Sequence, residues 1–422
     1  MTSPVHPTGR IAYFISASGL TNLADGISLV VWAWLATLLT RDPLIVALLP
    51  VAIRLPWFLF SLPAGIITDR TDRRHLILLM DLLRALAFLV ATCTLWFGLP
   101  LATPPEHGIG SPGLFGILAF CALLVGTAEV FRDNAAQTML PALVKDSDLE
   151  RANGRLWSVE LLGNALIGPT LGSLLISWMV WAPFALNTSA FALAALIMYN
   201  LAGTFRPASL ADRNWRKELK DGLMFLKDAP LLRLLAVTTG VWNLFHQAMF
   251  IGLVLHVQEN LGIGAKGYGL ILATGALGGI LGGLVANRVV SLLGPGRTAQ
   301  WMTLGSALAF AGVALAPNGY ALGLALATFE FTALVWNTVS VSYRQRLIPD
   351  ALLGRVNSVY RLLAWGMMPI GLLLSGLLVS VAELFFPRAD ALITPFIFSA
   401  VGAGLLTILA WHPLGRGLNT SP

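Results

Sequence analysis

Long apolar stretches alternate with short polar links along almost the whole chain. Each stretch runs for roughly 20 residues or more, the length a helix rising 1.5 Å per residue needs to cross a hydrocarbon layer about 30 Å thick. Twelve spans are expected, over residues 11–40, 43–68, 75–98, 114–131, 153–178, 183–202, 231–257, 268–289, 298–316, 319–343, 356–383 and 391–411. What lies between them leaves no room for a sizeable soluble domain. The fold class expected is an all-α membrane protein.

The links set the orientation. Arg10, the trio Arg70, Arg73 and Arg74, and the cluster Arg206, Arg213, Arg216, Lys217, Lys220 and Lys227 fall on one side of the expected membrane, while Arg41, Lys266 and Arg388 fall on the other. Positive charge collects on the cytoplasmic face, so both termini are expected in the cytoplasm and the chain in the inner (plasma) membrane. Composition agrees: of 422 residues 56% are hydrophobic and 11% charged, against about 25% charged in soluble domains, and the mean hydropathy is +0.76. The net charge of +6 sits in these links rather than on a basic face, which argues against a nucleic-acid partner. Residues 11–40 exceed the roughly 7–15 residue core of a signal peptide, so that run is expected to stay as a helix. Cys93 and Cys121 lie inside spans and suggest no disulfide framework.

The link 203–230 divides the chain into two groups of six spans, 1–202 and 231–422. Within it Trp215, Leu219, Leu223 and Leu226 recur at helical spacing among basic residues, which predicts an amphipathic helix in the membrane interface. The halves echo each other. Gly65-x-x-x-Asp69-Arg70 after span two returns as Gly283-x-x-x-Asn287-Arg288 after span eight, and Arg151-Ala-Asn153 before span five returns as Arg355-Val-Asn357 before span eleven. Two parallel six-helix bundles are expected, with a substrate site near the midplane between them.

The run Gly65-x-x-x-Asp69-Arg70-x-x-Arg73-Arg74, its degenerate copy and the six-plus-six division resemble the major facilitator superfamily. The segment from Asp133 to Pro141, followed by Glu150-Arg151-Ala-Asn153, is similar to the bacterial branch that includes enterobactin and macrolide exporters. The resemblance implies a monomeric secondary transporter that exports amphipathic small molecules in exchange for protons. Gly168-Pro169 in span five resembles the Gly-Pro element of antiporters, with Ser173 where a glycine is usual, and is expected to gate. Asp72 stands where the family has glycine, and span four lacks the buried arginine of proton-coupled drug exporters. Asp69 is expected to act as a latch, pairing with Arg132 or the start of span eleven, together with Gly65, Arg70, Arg73 and Arg74 and the weaker copy at Gly283, Asn287 and Arg288.

The residues themselves offer little for catalysis. A Gly-x4-Gly-Lys phosphate loop is missing, and the six histidines do not cluster, so neither nucleotide hydrolysis, a metal nor another cofactor is expected. Ionisable side chains within spans are costly in hydrocarbon and stand out as candidates. Asp25 and Arg54 lie at matching depth, and an ion pair between them would serve either as a proton switch or as a fixed structural contact. Asp81 and Arg84, at i and i+3, are expected to pair on their own helix. Glu129, Arg132, Asp133 and Glu160 are expected in a shallow cytoplasmic cluster. Glu330 stands alone in span ten and joins Asp25 and Arg54 as a coupling candidate. Asn22, Trp242, Asn243, His246 and Asn337 are expected to line the cavity. Two alternatives remain open on the same sequence: a proton-coupled uptake symporter, and a membrane sensor or assembly subunit that does not transport.

Overall fold

A computed structural model describes residues 7–144, 148–206, 215–348 and 350–420. It is helical throughout the described residues: α1 (Pro7–Leu39), α2 (Pro43–Arg70), α3 (Arg73–Phe97), α4 (Pro112–Met139), α5 (Leu149–Leu161), α6 (Gly168–Trp178), α7 (Ala182–Asn200), α8 (Trp215–Asp228), α9 (Pro230–Glu259), α10 (Ala265–Leu293), α11 (Pro295–Leu315), α12 (Gly319–Leu347), α13 (Asp350–Trp365), α14 (Met367–Ala382), α15 (Arg388–Ala391) and α16 (Thr394–Thr420). Among the described residues twelve helical spans are long and apolar enough to cross a membrane. All twelve expected spans are present. The fifth is α5 and α6 joined by a π-helical turn, Leu162–Ile167, and the eleventh is α13 and α14 interrupted at Gly366.

The chain forms two compact units, Met1–Arg41 with Leu48–Asp212, and Asp42–Ala47 with Arg213–Pro422. In the first, α1 packs on α7 and on the α5–α6 span, and α3 packs on α4 and α7. In the second, α9 packs on α14 and α16, and α11 packs on α12 and α16. Spans one, three, four, five and six thus have the same neighbours as spans seven, nine, ten, eleven and twelve, so the echo read from short motifs is a repeat of packing.

Lipid tails are as apolar as leucine, so hydrophobic burial does not drive helices together in a membrane; close backbone approach and polar joints do. Both units build the corresponding joint this way. Where α1 crosses the fifth span, a Cβ on Gly26 would stand 2.4 Å from the Gly163 carbonyl, and Asn164 Nδ2 donates to Asn22 Oδ1 at 2.7 Å. Where α9 crosses the eleventh, a Cβ on Gly240 would stand 2.6 Å from the Leu363 carbonyl, and Asn243 Nδ2 donates to the Ala364 carbonyl at 2.8 Å. Pro169 lacks an N–H and cannot continue the ladder, and the helix widens into its π turn just before it. Ser173, at the site where a glycine was expected, is fully buried and its Oγ donates to the Pro169 carbonyl at 2.7 Å.

Two other expectations change. Gly283–Arg288 is not a link, because α10 continues to Leu293; Asn287 and Arg288 sit on an exposed helical face. Along α10 the glycines pressed onto α12 are Gly278 and Gly282, at the Ala327 and Phe331 carbonyls, while Gly283 faces open space. The amphipathic helix of the central link is α8. Its Leu226 is buried in the core of the second unit with Leu232 and Leu235, whereas Leu223 is exposed; the side chains of Trp215 and Leu219 lie outside the described residues.

Gly26→Ala is expected to destabilise the folded protein by about 1–3 kcal/mol, the usual effect of forcing a methyl into a filled contact. Gly116→Ala, at a position where a Cβ meets nothing within 4 Å, is the control. Thermal unfolding of the purified protein in detergent compares them, and equal midpoints would show that the Gly26 contact is not a tight one.

Candidate functional site

The charges of the first unit lie in layers across α1 to α4. Asp81 and Arg84 occupy successive turns of α3 and are both fully buried. They do not pair with each other as expected. Arg84 donates through Nη2 to Asp25 on α1, and its guanidinium lies 4.0 Å from the ring centre of Phe191 on α7. Asp81 faces Arg132 on α4, with Arg132 Nε 3.6 Å from its Oδ1. The reason is depth. Because α4 runs to Met139, Arg132 stands two turns inside the helix and meets Asp81 at its own level, leaving Arg84 one turn further along to meet Asp25.

Arg132 is only 4% exposed, and its guanidinium also reaches Asp133 Oδ1 at 3.4 Å and Ser18 Oγ at 3.3 Å. Shallow placement for this cluster is therefore corrected for Arg132, though Glu160 is exposed. The expected Asp69–Arg132 latch cannot be placed, since the side chain of Asp69 lies outside the described residues, as do those of Arg355 and Asn357.

The expected Asp25–Arg54 pair is not formed either. Arg54 turns to α4, where its Nη1 is 3.6 Å from Glu129 Oε1, with the two side chains 32% and 13% exposed. The approach is fixed by Gly126, one turn before Glu129: a Cβ there would stand 2.1 Å from the Ile53 carbonyl, so only glycine lets α2 this close. The structure thus replaces one anticipated pair by two, Asp25–Arg84 with a fully buried arginine and a direct hydrogen bond, and Arg54–Glu129 with a partly exposed arginine and a looser contact. Sequence reasoning matched depth but not azimuth. The usable signal was Gly126, a small residue one turn from an acid.

Charge is arranged differently in the second unit. Glu330 on α12 packs its methylenes against Gly275 and Gly279 of α10, and among the described residues no cation or hydrogen-bond donor reaches its carboxylate. The next residue back, Phe329, is fully buried and stacks on Trp242 with ring centres 4.9 Å apart; His246 lies 5.0 Å from Phe329 and 5.4 Å from Trp242. Asn337 is exposed. Asn22 and Asn243, expected to line a cavity, are at most 9% exposed and are the helix-joining residues of the two units. His256 is buried, with Nδ1 2.9 Å from Asn260 Nδ2, and no group of residues able to hold a metal occurs among those described.

Gly65–Arg70 forms the last turns of α2, so the link itself is only Thr71 and Asp72, and it is a staple. Asp72 caps α3 by accepting from the Arg74 and His75 N–H groups, and its other oxygen accepts from the Phe205 N–H at 2.9 Å. Arg74 Nε donates to the Met198 carbonyl at 3.0 Å at the end of α7. Asp72, which stands where the family has glycine, ties the link to Phe205 in the segment after the sixth span, and Arg74 ties it to the sixth span itself. Arg70 is exposed and Arg73 half-buried.

Residues 4–403 match the family described as transmembrane secretion effector. The chain is 27% identical over 405 residues to the multidrug efflux pump Tap of Mycolicibacterium fortuitum, covering 89% of this chain and 90% of that one. It is 26% identical over 363 residues to the enterobactin exporter EntS of Shigella boydii, covering 83% and 80%. In fold it is similar to a bacterial homologue of iron transporter ferroportin in an inward-facing state, with a TM-score of 0.73 at 16% identity over 98% of this chain and 99% of that one. A bacterial homologue of the lysosomal transporter Spinster aligns with a TM-score of 0.71 at 14% identity over the whole of both chains. The family and these relatives are transporters rather than enzymes, and the chain, with its twelve spanning helices and its match over nearly all its length, belongs to the transmembrane secretion effector family of major facilitator transporters and is an integral membrane protein.

Proposed function

We propose that this transporter is a proton-coupled exporter of amphipathic small molecules, drug-like or siderophore-like, working by alternating access as a monomer in the inner membrane with both termini in the cytoplasm. The named activities of its relatives, multidrug efflux and enterobactin export, support the direction and the substrate class. The charge bias of the links supports the orientation.

The Arg54–Glu129 pair carries the coupling. An arginine beside a carboxylate favours its charged form, and separating them lets the carboxylate take a proton. Arg54–Glu129 is suited to this because its arginine is 32% exposed, against 0% for Arg84, and because it is held at 3.6 Å without a closed hydrogen bond, whereas Arg84 donates directly to Asp25. Asp25 is held by a fully buried arginine and serves as a positioning residue for α1 and α3. Glu330, an acid without a partner among the described residues, is the second coupling group, and Trp242 and His246 with Phe329 form an aromatic wall for the substrate. The Gly65–Arg74 link, with Asp69, gates the cytoplasmic end. Its copy at Gly283, Asn287 and Arg288 lies before the end of α10, has a neutral Asn287 in place of Asp69, and contributes less.

In proteoliposomes with an imposed pH gradient, the wild type is expected to drive flux of a fluorescent amphipathic dye; the absence of gradient-driven flux would end the proton-coupled reading. Glu129→Gln should lower driven flux roughly tenfold or more while leaving dye exchange in the absence of a gradient. Full driven flux in that variant would remove Glu129 from coupling. Glu330→Gln is expected to reduce driven flux without changing the thermal midpoint, since no ion pair is broken. A drop in midpoint with intact flux would make Glu330 structural instead.

A further inference from the structure

The second unit carries a groove apart from the residues proposed for coupling. It has a volume of about 620 Å³ and lies between the start of α9 and the end of α16, walled by Leu231, Leu234, Val237, Pro413 and Gly417, with Arg233 at its side. Its origin is local. Leu232, Leu235 and Ala236 of α9, with Leu414 and Leu418 of α16, turn into the core, which leaves the opposite faces of both helices outward. On α16 those outward positions hold a proline and a glycine, and a Cβ on Gly417 would stand 2.8 Å from Leu231 Cδ1, the movable end of a side chain that lines the groove. Two helices whose outer faces lack bulk on one side leave a furrow.

The groove has a polar end and an apolar length. Arg233 is about 5 Å inside the start of the span and Val237 about 10 Å, with Gly417 and Pro413 at similar depths from the other end of α16. Arg233 is exposed. Its Nη1 donates to the Lys227 carbonyl at 2.7 Å, which aims the guanidinium toward α8, and among the described residues no carboxylate stands within ion-pair distance of it. The exposed Lys227 of α8 and the exposed Arg416 beside Gly417 add positive charge, against Asp228. A second groove on α16, about 420 Å³ and walled by Ile397, Phe398, Val401 and Leu405, has no charged residue at all. The same helix therefore carries one furrow for hydrocarbon alone and one with a guanidinium at its mouth.

We infer that the Arg233 groove is a binding site for one anionic glycerophospholipid, its phosphate on Arg233 and an acyl chain along Leu234 and Val237. The occupant follows from charge and depth. A soluble anion would leave the apolar wall uncovered, a zwitterionic lipid would gain little from an arginine with no carboxylate beside it, and the furrow opens where headgroups meet chains. A basic residue near an anionic leaflet contributes about 1 kcal/mol, so the preference for an anionic over a zwitterionic lipid of the same chains should be roughly fivefold. The inference is independent of what the protein transports.

Native mass spectrometry of the purified full-length protein, incubated with equimolar phosphatidylglycerol and phosphatidylcholine of matched chains, reads the preference directly. Wild type is expected to retain phosphatidylglycerol about fivefold over phosphatidylcholine. Arg233→Gln should bring the ratio near one, and Leu234→Trp, which fills the furrow, should reduce retention of both. Val401→Trp in the apolar groove should leave the ratio unchanged. Equal retention by the wild type would overturn the site. So would a preference that survives Arg233→Gln but disappears in Lys220→Gln with Lys227→Gln, because the lipid would then be held by the surface of α8.

Discussion

A charge in hydrocarbon needs a partner, and the first unit is organised by how it supplies them. Arg84 is fully buried and meets Asp25 across two helices, so α1 and α3 are fixed in rotation as well as in depth. Breaking such a buried pair by removing one member typically costs about 3–5 kcal/mol, because the other charge is stranded. Rotation set in this way determines what the neighbouring faces present. Asp81 is left for Arg132, and Arg54 is left for Glu129. Phe191 closes the stack by lying against the Arg84 guanidinium, which ties α7 to the same layer.

The two units share their joints but not their charges. Each crosses its first and fifth helices with a glycine against a carbonyl and an asparagine across the gap, and each interrupts the fifth helix near the crossing. The joint between second and fourth helices is also made by glycine in both, Gly126 in one and Gly278 with Gly282 in the other. Among the described residues the matched pair at that joint occurs in the first unit. In the second, the acid faces two glycines of α10. Among the described residues the first unit pairs its buried acids with arginines, whereas Glu330 in the second lies against glycines, which is why it is proposed as a coupling group.

Much of the fold was legible because membrane crossing imposes length and apolarity on each span, and all twelve follow from that constraint. The repeat was also legible, because Gly65–Arg70 at the end of α2 and Gly283–Arg288 near the end of α10 are both helical, although α10 continues past its copy to Leu293. Pairing was not legible. Depth along a helix can be counted from residue number, but azimuth cannot be, and Asp25 and Arg54 are level with each other while facing different neighbours. The asparagines misled for a related reason: Asn22 and Asn243 are polar and deep, which suits a cavity wall and a helix joint equally well until the facing carbonyl or amide is placed. Asp72 was recognised as a departure from the family, but its work as a cap and as an anchor for Phe205 depends on a contact 133 residues away.

Under the proposed coupling the bundle has to hold its shape while one of its acids exchanges a proton, and a directly bonded pair, Asp25–Arg84, beside a looser one, Arg54–Glu129, suits the first unit to both. The claim that decides this division is which acid belongs to which arginine. A double-mutant cycle on thermodynamic stability tests it most directly, with Asp25→Asn, Arg84→Leu, Arg54→Leu and the two combinations with Asp25→Asn. Coupling between Asp25 and Arg84 should amount to about 3 kcal/mol or more, as for a buried pair in contact. Coupling between Asp25 and Arg54 should fall within about 0.5 kcal/mol of zero, the level of independent sites. The reverse, strong coupling to Arg54 and none to Arg84, would contradict the arrangement and with it the assignment of Glu129 as the group released for protonation.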